Sequence, residues 1–341
     1  MSGLPLPSAA QGGLWLLSAF VLSLALTRLV LGWLRAKAVM DIPNERSSHT
    51  IPTPRGGGLA VTPVVIGGWA LAGYLSPAPV PVALWAVLAA SFALSVVSWL
   101  DDRLNLSRRL RFALHIAAAA LGTLLLPEAT LVFQGWLPLW ADRAVTLVGW
   151  VWFINLYNFM DGIDGITGVE TASLGAGLVT VSLLLPTAAT LPYGLFGLTA
   201  VGAALGFLVF NWHPAKLFLG DVGSVPLGYL LGFALILLAG DGALTAALIL
   251  PAYYLLDATV TLLRRLVQGK PIGQAHREHF YQQAVHTGGL RHSQVSALIL
   301  CGNLGLLAAA AFAVSGQPLP AVAGTVAVLG LIVVLFRRRP R

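Results

Sequence analysis

The chain has 341 residues, of which 57% are hydrophobic and only 10% charged, and its mean hydropathy is +0.83. Soluble domains carry about 25% charged residues, so this composition excludes a soluble globule and predicts an all-α polytopic membrane protein, one catalytic domain over 1–341. The net charge of +7 marks the cytoplasmic side of a membrane protein and not a nucleic-acid binder.

Eleven apolar stretches are each long enough to cross a bilayer with modest tilt. They cover roughly 13–34, 57–76, 80–100, 110–127, 144–160, 171–187, 192–212, 222–240, 242–263, 293–314 and 319–336. No basic residue precedes the first stretch, as one would in a signal peptide, so the N-terminus is expected outside. The connections 35–56, 101–109, 158–170, 211–222 and 264–292, with the tail after 336, then fall inside. Of the 20 Lys and Arg, only Arg143 lies opposite that set. This asymmetry predicts eleven transmembrane helices and a cytoplasmic C-terminus ending in "RRRPR". The outer connections "SPAP", "LPTAAT" and "AGDG" are short. The stretch 128–143, with Glu128, Asp142 and Arg143, reads as a solvated loop or a short interfacial helix. Cys301, the single cysteine, lies in an apolar run and reads as a small buried residue.

The polar residues concentrate on the inner face in five clusters. "DIPNERSSHTIPTPRGGG" (41–58) follows the first span. "SWLDDRLNLSRRLR" (98–111) sets Asp101 beside Asp102 ahead of Arg108, Arg109 and Arg111. This is either a solvated helix end or a base or metal site beside a phosphate-binding cation, because adjacent carboxylates repel and recruit positive charge. In "NLYNFMDGIDGITG" (155–168), Asn158, Asp161 and Asp164 recur every third residue. On a helix they would form one oxygen-bearing stripe, suited to Mg²⁺ or to the polar edge of a nucleotide. "FNWHPAKLFLGDVGS" (210–224) holds Asp221 in a glycine-flanked turn, where a carboxylate can meet a metal–phosphate complex. Phe218, three residues earlier, is a stacking surface for a base or a core aromatic. His213 reads as local structure.

"GKPIGQAHREHFYQQAVHTGGLRH" (269–292) carries His276, Arg277, Glu278 and His279. The pair His276 and His279 has zinc-type spacing. With no cysteine and no third histidine close by, anion binding by His and Arg is the better reading. Asp257 is the charge nearest a span interior and is expected to pair with a polar group. A transporter places ionisable residues along a midplane path. Here they sit at one face, which suits an enzyme joining a water-soluble molecule to a lipid head group.

The strings "DD", "NFMDGIDG" and "GDVGS", in this order, resemble the polyprenyl-phosphate N-acetylhexosamine-1-phosphate transferases. That family includes the phospho-MurNAc-pentapeptide translocase and the GlcNAc-1-phosphate transferases of bacteria. The resemblance implies transfer of a sugar-1-phosphate from a UDP-N-acetylhexosamine to undecaprenyl phosphate with release of UMP. It implies Mg²⁺, with Mn²⁺ as a substitute, a bacterial cytoplasmic membrane location with the site facing the cytoplasm, and a homodimer. By the same resemblance Asp221 and Asn158 would hold the metal, and Asp101, with Asp102 beside it, would act on the lipid phosphate as base or nucleophile. Asp164 and Phe218 would hold uracil, with Asp161 in the same site. His276, Arg277 and His279 would meet the diphosphate and sugar, and Arg111 the lipid phosphate. "AHREHFYQ" departs from the histidine-dense last loop of the translocase. It looks more like the subgroup that initiates O-antigen or related surface polysaccharides.

Overall fold

The computed structural model describes residues 8–43, 48–76, 80–104, 106–185, 191–271 and 276–337. The connections read at 77–79 and 186–190, and the arginine-rich string beyond 337, lie outside these residues. Thirteen α-helices are described: α1 (Ala9–Ala36), α2 (Gly58–Tyr74), α3 (Val82–Leu104), α4 (Arg108–Leu124), α5 (Leu139–Phe159), α6 (Ile166–Leu184), α7 (Leu191–Asn211), α8 (Asp221–Leu238), α9 (Leu244–Ile249), α10 (Ala252–Val267), α11 (Phe280–His286), α12 (His292–Val314) and α13 (Pro318–Arg337). Among the described residues the only sheet is a two-residue antiparallel pair, β1 (Met40–Asp41) with β2 (Thr53–Pro54). Seven helical stretches are long and apolar enough to cross a membrane. The protein is an all-α membrane protein.

α8 is the axis of the bundle. Every residue from Val222 to Leu238 is buried, as befits a helix that is hydrophobic all round. It packs against α2, α3 and α5, whereas α1 and α13 leave most of their surface outward. Trp150 of α5 lies parallel to Tyr229 of α8 with ring centroids 4.7 Å apart and donates its indole N–H to the Tyr229 carbonyl (2.9 Å).

The "PRGGG" string docks against the start of this axis through its backbone. The Phe218 N–H donates to the Pro54 carbonyl (2.8 Å). The Phe218 carbonyl accepts from Gly56 and Gly57 (3.1 and 2.8 Å), and the Leu219 carbonyl from Gly58 (2.9 Å). A Cβ on Gly58 would sit 2.2 Å from the Gly223 backbone. Only glycine lets α2 and α8 begin this close together.

Four sequence expectations change. The ninth stretch (242–263) is two helices, α9 and α10, separated at Leu250–Pro251, where proline cannot continue the backbone ladder. "AGDG" belongs to a π-helical turn, Ala239–Ala243, broken at Gly242. Asp142 is not solvated: it is fully buried and accepts from the Val132 and Phe133 amides (3.3 and 2.9 Å). Cys301 faces outward from α12.

Candidate active site

The clusters meet where α3, α5 and α8 end or begin on one side of the bundle. Asp221 is the first residue of α8, and both its carboxylate oxygens are engaged by guanidinium groups. Arg55 Nη2 lies 2.6 Å from Oδ1, and Arg111 Nη1 lies 3.2 Å from Oδ2. Arg55 also reaches Asp102 (3.4 Å) and Asp41 (4.0 Å), while Arg111 holds Asp101 (2.7 Å). Burial works against the Arg55 charge, but Asp221, Asp102 and Asp41 outweigh it and raise its pKa. Arg55 was not singled out in the sequence. The available signal was the glycine run after it, which marks a tight backbone approach.

Asn158, Asp161 and Asp164 do not form a helical stripe. α5 ends at Phe159, and 160–165 is an irregular turn. All three nonetheless line the same polar cavity of about 410 Å³. Asn158 Oδ1 accepts from the Ser224 hydroxyl (2.7 Å), and Asp161 Oδ1 from Thr167 (2.6 Å). Burial pushes the Asp161 carboxyl up to about 6, against the opposing Thr167 hydrogen bond and the Arg55 charge. A Cβ on Gly162 would lie 2.2 Å from the Tyr281 hydroxyl, which donates to the Phe159 carbonyl (3.1 Å). The turn is thereby locked to α11.

Asp164 is buried, and its Oδ2 accepts from the Ala215 amide (3.1 Å) and faces His213 Nδ1 (2.6 Å). Its Oδ1 lies 3.3 Å from His292 Nδ1. Burial opposes its ionisation, yet the hydrogen bonds from His292, His213 and Ala215 hold its pKa below the usual carboxylate value. Phe218 lines the same cavity, with the edge of His49 against it (centroids 4.7 Å apart).

A second cavity, of about 680 Å³, is mainly apolar. Leu94, Phe112, Ile116, Leu147, Val148 and Trp152 are among its walls, and Arg108, Arg109 and Arg111 also line it. Asn158 and Asp221 line both cavities. His115 lines the apolar one and pairs with Asn155 (3.2 Å). Asp101 and Asp102 are not among the lining residues of either. They reach the site through Arg111 and Arg55.

The last-loop residues are placed differently from one another. His279 is buried, with Nδ1 3.1 Å from Asp257 Oδ1. The same buried Asp257 accepts from the Phe280 and Tyr281 amides (2.9 and 3.1 Å), Tyr253 (2.9 Å) and Thr261 (3.3 Å). Thus Asp257 finds its expected partner, and His279 serves as that partner. His276 stacks on His279, centroids 4.8 Å apart. Burial, then the neighbouring His279 and Arg265, push its pKa down to about 4, so its ring is neutral at neutral pH. Arg265 is buried and paired with Glu278.

Five carboxylates (Asp41, Asp101, Asp102, Asp161 and Asp221) therefore surround two guanidinium groups. Asp221, Asp161 and the Asn158 carbonyl oxygen face the polar cavity, oxygen donors of the kind a hard divalent cation such as Mg²⁺ prefers, with both Asp221 oxygens held by guanidinium groups.

The sequence profile of glycosyl transferase family 4 matches residues 84–239. A probable undecaprenyl-phosphate N-acetylglucosaminyl 1-phosphate transferase of Bacillus subtilis is 25% identical over 300 residues, covering 83% of this chain and 81% of the relative. A decaprenyl-phosphate N-acetylglucosaminephosphotransferase of Mycolicibacterium smegmatis is 28% identical, covering 99% and 91%. A phospho-N-acetylmuramoyl-pentapeptide-transferase of Chlamydia pneumoniae is 31% identical over 173 residues, covering 42% and 49%. The names of those relatives carry the chemistry to which the motifs pointed, and the segment that matches glycosyl transferase family 4 contains Asp101, Asn158, Asp161, Asp164 and Asp221.

Proposed function

We propose that the protein transfers an N-acetylhexosamine-1-phosphate from a UDP-sugar to undecaprenyl phosphate, releasing UMP and starting a surface polysaccharide. The observation that carries this reading is the pair of cavities meeting at Asn158 and Asp221. One is polar and sized for part of a nucleotide sugar. The other is apolar, with arginines to meet a phosphate at its polar end.

In this reading the apolar cavity takes the first isoprene units of the acceptor. Arg108, Arg109 and Arg111 hold its phosphate, since guanidinium forks match phosphate oxygens. Asp101 fixes Arg111 at 2.7 Å and is the group proposed to take a proton from the acceptor phosphate. In this reading that carboxylate acts as base or as nucleophile. Asp102 shares Arg55 with Asp221. On the donor side Phe218 offers a face to uracil, Asp164 an acceptor, and Asp161 an edge of the same cavity. Arg277 supplies the positive charge of the last loop, because His276 is neutral and His279 is committed to Asp257. Asp221 and Asn158 would hold Mg²⁺, or Mn²⁺ in its place, and the bound ion would neutralise charge on the diphosphate and the departing UMP. For Asp221 to ligate, Arg55 and Arg111 must yield its oxygens, and the donor diphosphate is the alternative partner for both.

The distribution of Lys and Arg supports eleven crossings with the N-terminus outside, the C-terminus in the cytoplasm, and a site opening to the cytoplasm of a bacterial inner membrane. The Chlamydia relative favours a second reading, transfer of phospho-MurNAc-pentapeptide. One experiment decides: purified protein is incubated with undecaprenyl phosphate, Mg²⁺ and a panel of UDP-N-acetylhexosamines that includes UDP-MurNAc-pentapeptide. UMP release and a lipid diphosphate-sugar of the expected mass support transfer and name the sugar. Release from no donor overturns the assignment and leaves a transporter.

A further inference from the structure

The zinc-type spacing in the sequence fell on His276 and His279, but the structure assembles a different set. Asp164 comes from the turn before α6, His213 from the connection after α7, and His292 from the start of α12. Each offers one ligand atom, and all three atoms lie within 4.8 Å of one another. We propose that Asp164, His213 and His292 form a site for a borderline divalent transition metal, Zn²⁺ being the probe, separate from the all-oxygen set around Asp221.

The donor chemistry separates the two sites. Two imidazole nitrogens and one carboxylate suit Zn²⁺, Co²⁺ or Ni²⁺, whereas Mg²⁺ prefers oxygen ligands alone. The spacing is close to what such an ion needs. His213 Nδ1 and His292 Nδ1 lie 2.6 and 3.3 Å from the two Asp164 oxygens. Ligands about 2.0–2.1 Å from a tetrahedral zinc are roughly 3.3 Å apart, which the His292 contact already matches and to which the His213 contact must lengthen.

His292 Nδ1 lies 3.3 Å from both the Asp164 amide nitrogen and Asp164 Oδ1. With its proton on Nε2 the ring turns a lone pair toward that carboxylate oxygen, and a shared cation takes the place of the proton that otherwise bridges the two groups.

The ligands are also held by neighbours. Ala215 donates to Asp164 Oδ2, Ser296 donates to the Asp164 carbonyl (2.8 Å), and Gly165 donates to Asn211 Oδ1 (3.0 Å). Such outer contacts orient metal ligands and tune affinity. Asp164 and His292 line the polar cavity, and the His213 side chain is 34% exposed, so an ion can enter and a fourth ligand can come from solvent. An ion there would sit at the end of the cavity assigned to the nucleotide, and Zn²⁺ is expected to compete with the donor.

The test reads metal directly and does not depend on which reaction the enzyme performs. Full-length protein is stripped with chelator and dialysed against Zn²⁺ in large Mg²⁺ excess, and the retained metal is counted. Wild type and Asp221→Asn are expected to retain one zinc per chain. His213→Ala and His292→Gln are expected to bind it about tenfold or more weakly, with elution volume and helical circular dichroism unchanged. Co²⁺ should give a visible ligand-field band in wild type that both histidine variants lose. Where a histidine variant fails to fold, Asp164→Asn, which keeps the side-chain shape, decides in its place. Zinc retention equal in wild type and the triad variants, or lost in Asp221→Asn alone, overturns the proposal and leaves the three residues as a hydrogen-bonded clasp.

Discussion

Arg55 Nη2 and Asp221 Oδ1, 166 residues apart in sequence, lie 2.6 Å from each other. The contact follows from the backbone pairing of 54–58 with 218–219, which lays the "PRGGG" string along the turn that starts α8. One guanidinium thereby screens three carboxylates, Asp41, Asp102 and Asp221.

Arg55→Ala should leave those carboxylates mutually repelling and remove a cation from the donor diphosphate. Loss of one preorganised charge partner typically costs about 10²–10³ in kcat. Arg55→Lys should recover only part of the loss, because a single ammonium cannot fork between three acids. UMP-release kinetics on both variants check this. Wild-type rates in Arg55→Ala would remove Arg55 from the site.

Asp221→Asn should abolish sugar-phosphate transfer while the protein keeps its elution volume and helical content. The amide is isosteric and retains one acceptor oxygen but loses the charge that would hold Mg²⁺. Near-normal turnover at saturating Mg²⁺ would count against a metal role for this residue.

Asp161 predicts a pH signature. Its folded-state pKa is raised, to about 6 from 3.8, chiefly by burial. Below about pH 4 the carboxyl is protonated in both folded and unfolded chains. Between there and about pH 6 only the folded state keeps the proton. The stability this brings relative to the ionised buried group is lost as pH rises through the folded value. Asp161→Asn should therefore melt above wild type at pH 7.5, with the gap closing toward pH 4. If the ionised form serves the donor, wild-type kcat/KM should rise with pH through about 6, and the variant should lack that limb. Thermal melts and rate profiles across this range read both effects.

Asp257 accepts from two side-chain hydroxyls, one imidazole and two backbone amides, and so pins α11 to α10. Asp257→Ala strands those donors in a fully buried position. A loss of about 3 kcal/mol or more is expected, as when one partner leaves a buried charged network. A melting point unchanged in detergent would show the knot to be dispensable. Transfer should fall as well, since Gln282 on α11 lines the polar cavity and Tyr281 abuts Gly162 in its wall.

Gly58→Ala would place a methyl carbon 2.2 Å from the Gly223 backbone. Neither backbone can yield without moving α2 from α8 and Arg55 from Asp221. Overpacking of this kind costs typically 1–3 kcal/mol and more where backbone must shift. Reduced membrane yield and lost activity are expected, whereas Gly67→Ala, with nothing within 4 Å of the added carbon, serves as a neutral control.

Composition and hydropathy determined the solvent of this protein, because a chain this apolar can hide its backbone groups only by forming helices in lipid. Each predicted apolar stretch has a helix in it, since the spacing of polar breaks is a local property. The short motifs likewise carried Asn158, Asp161, Asp164, Phe218 and Asp221 to one cavity, because acids bordering hydrocarbon need a partner. What sequence could not supply was pairing across the bundle. Arg55 gained its place through backbone bonds to residues 218 and 219, His213 turned to Asp164, and His279 turned away from the cavity to Asp257. Those outcomes depend on where helices far apart in the chain come to rest, and on which donor reaches a buried carboxylate first, which neither spacing nor composition encodes.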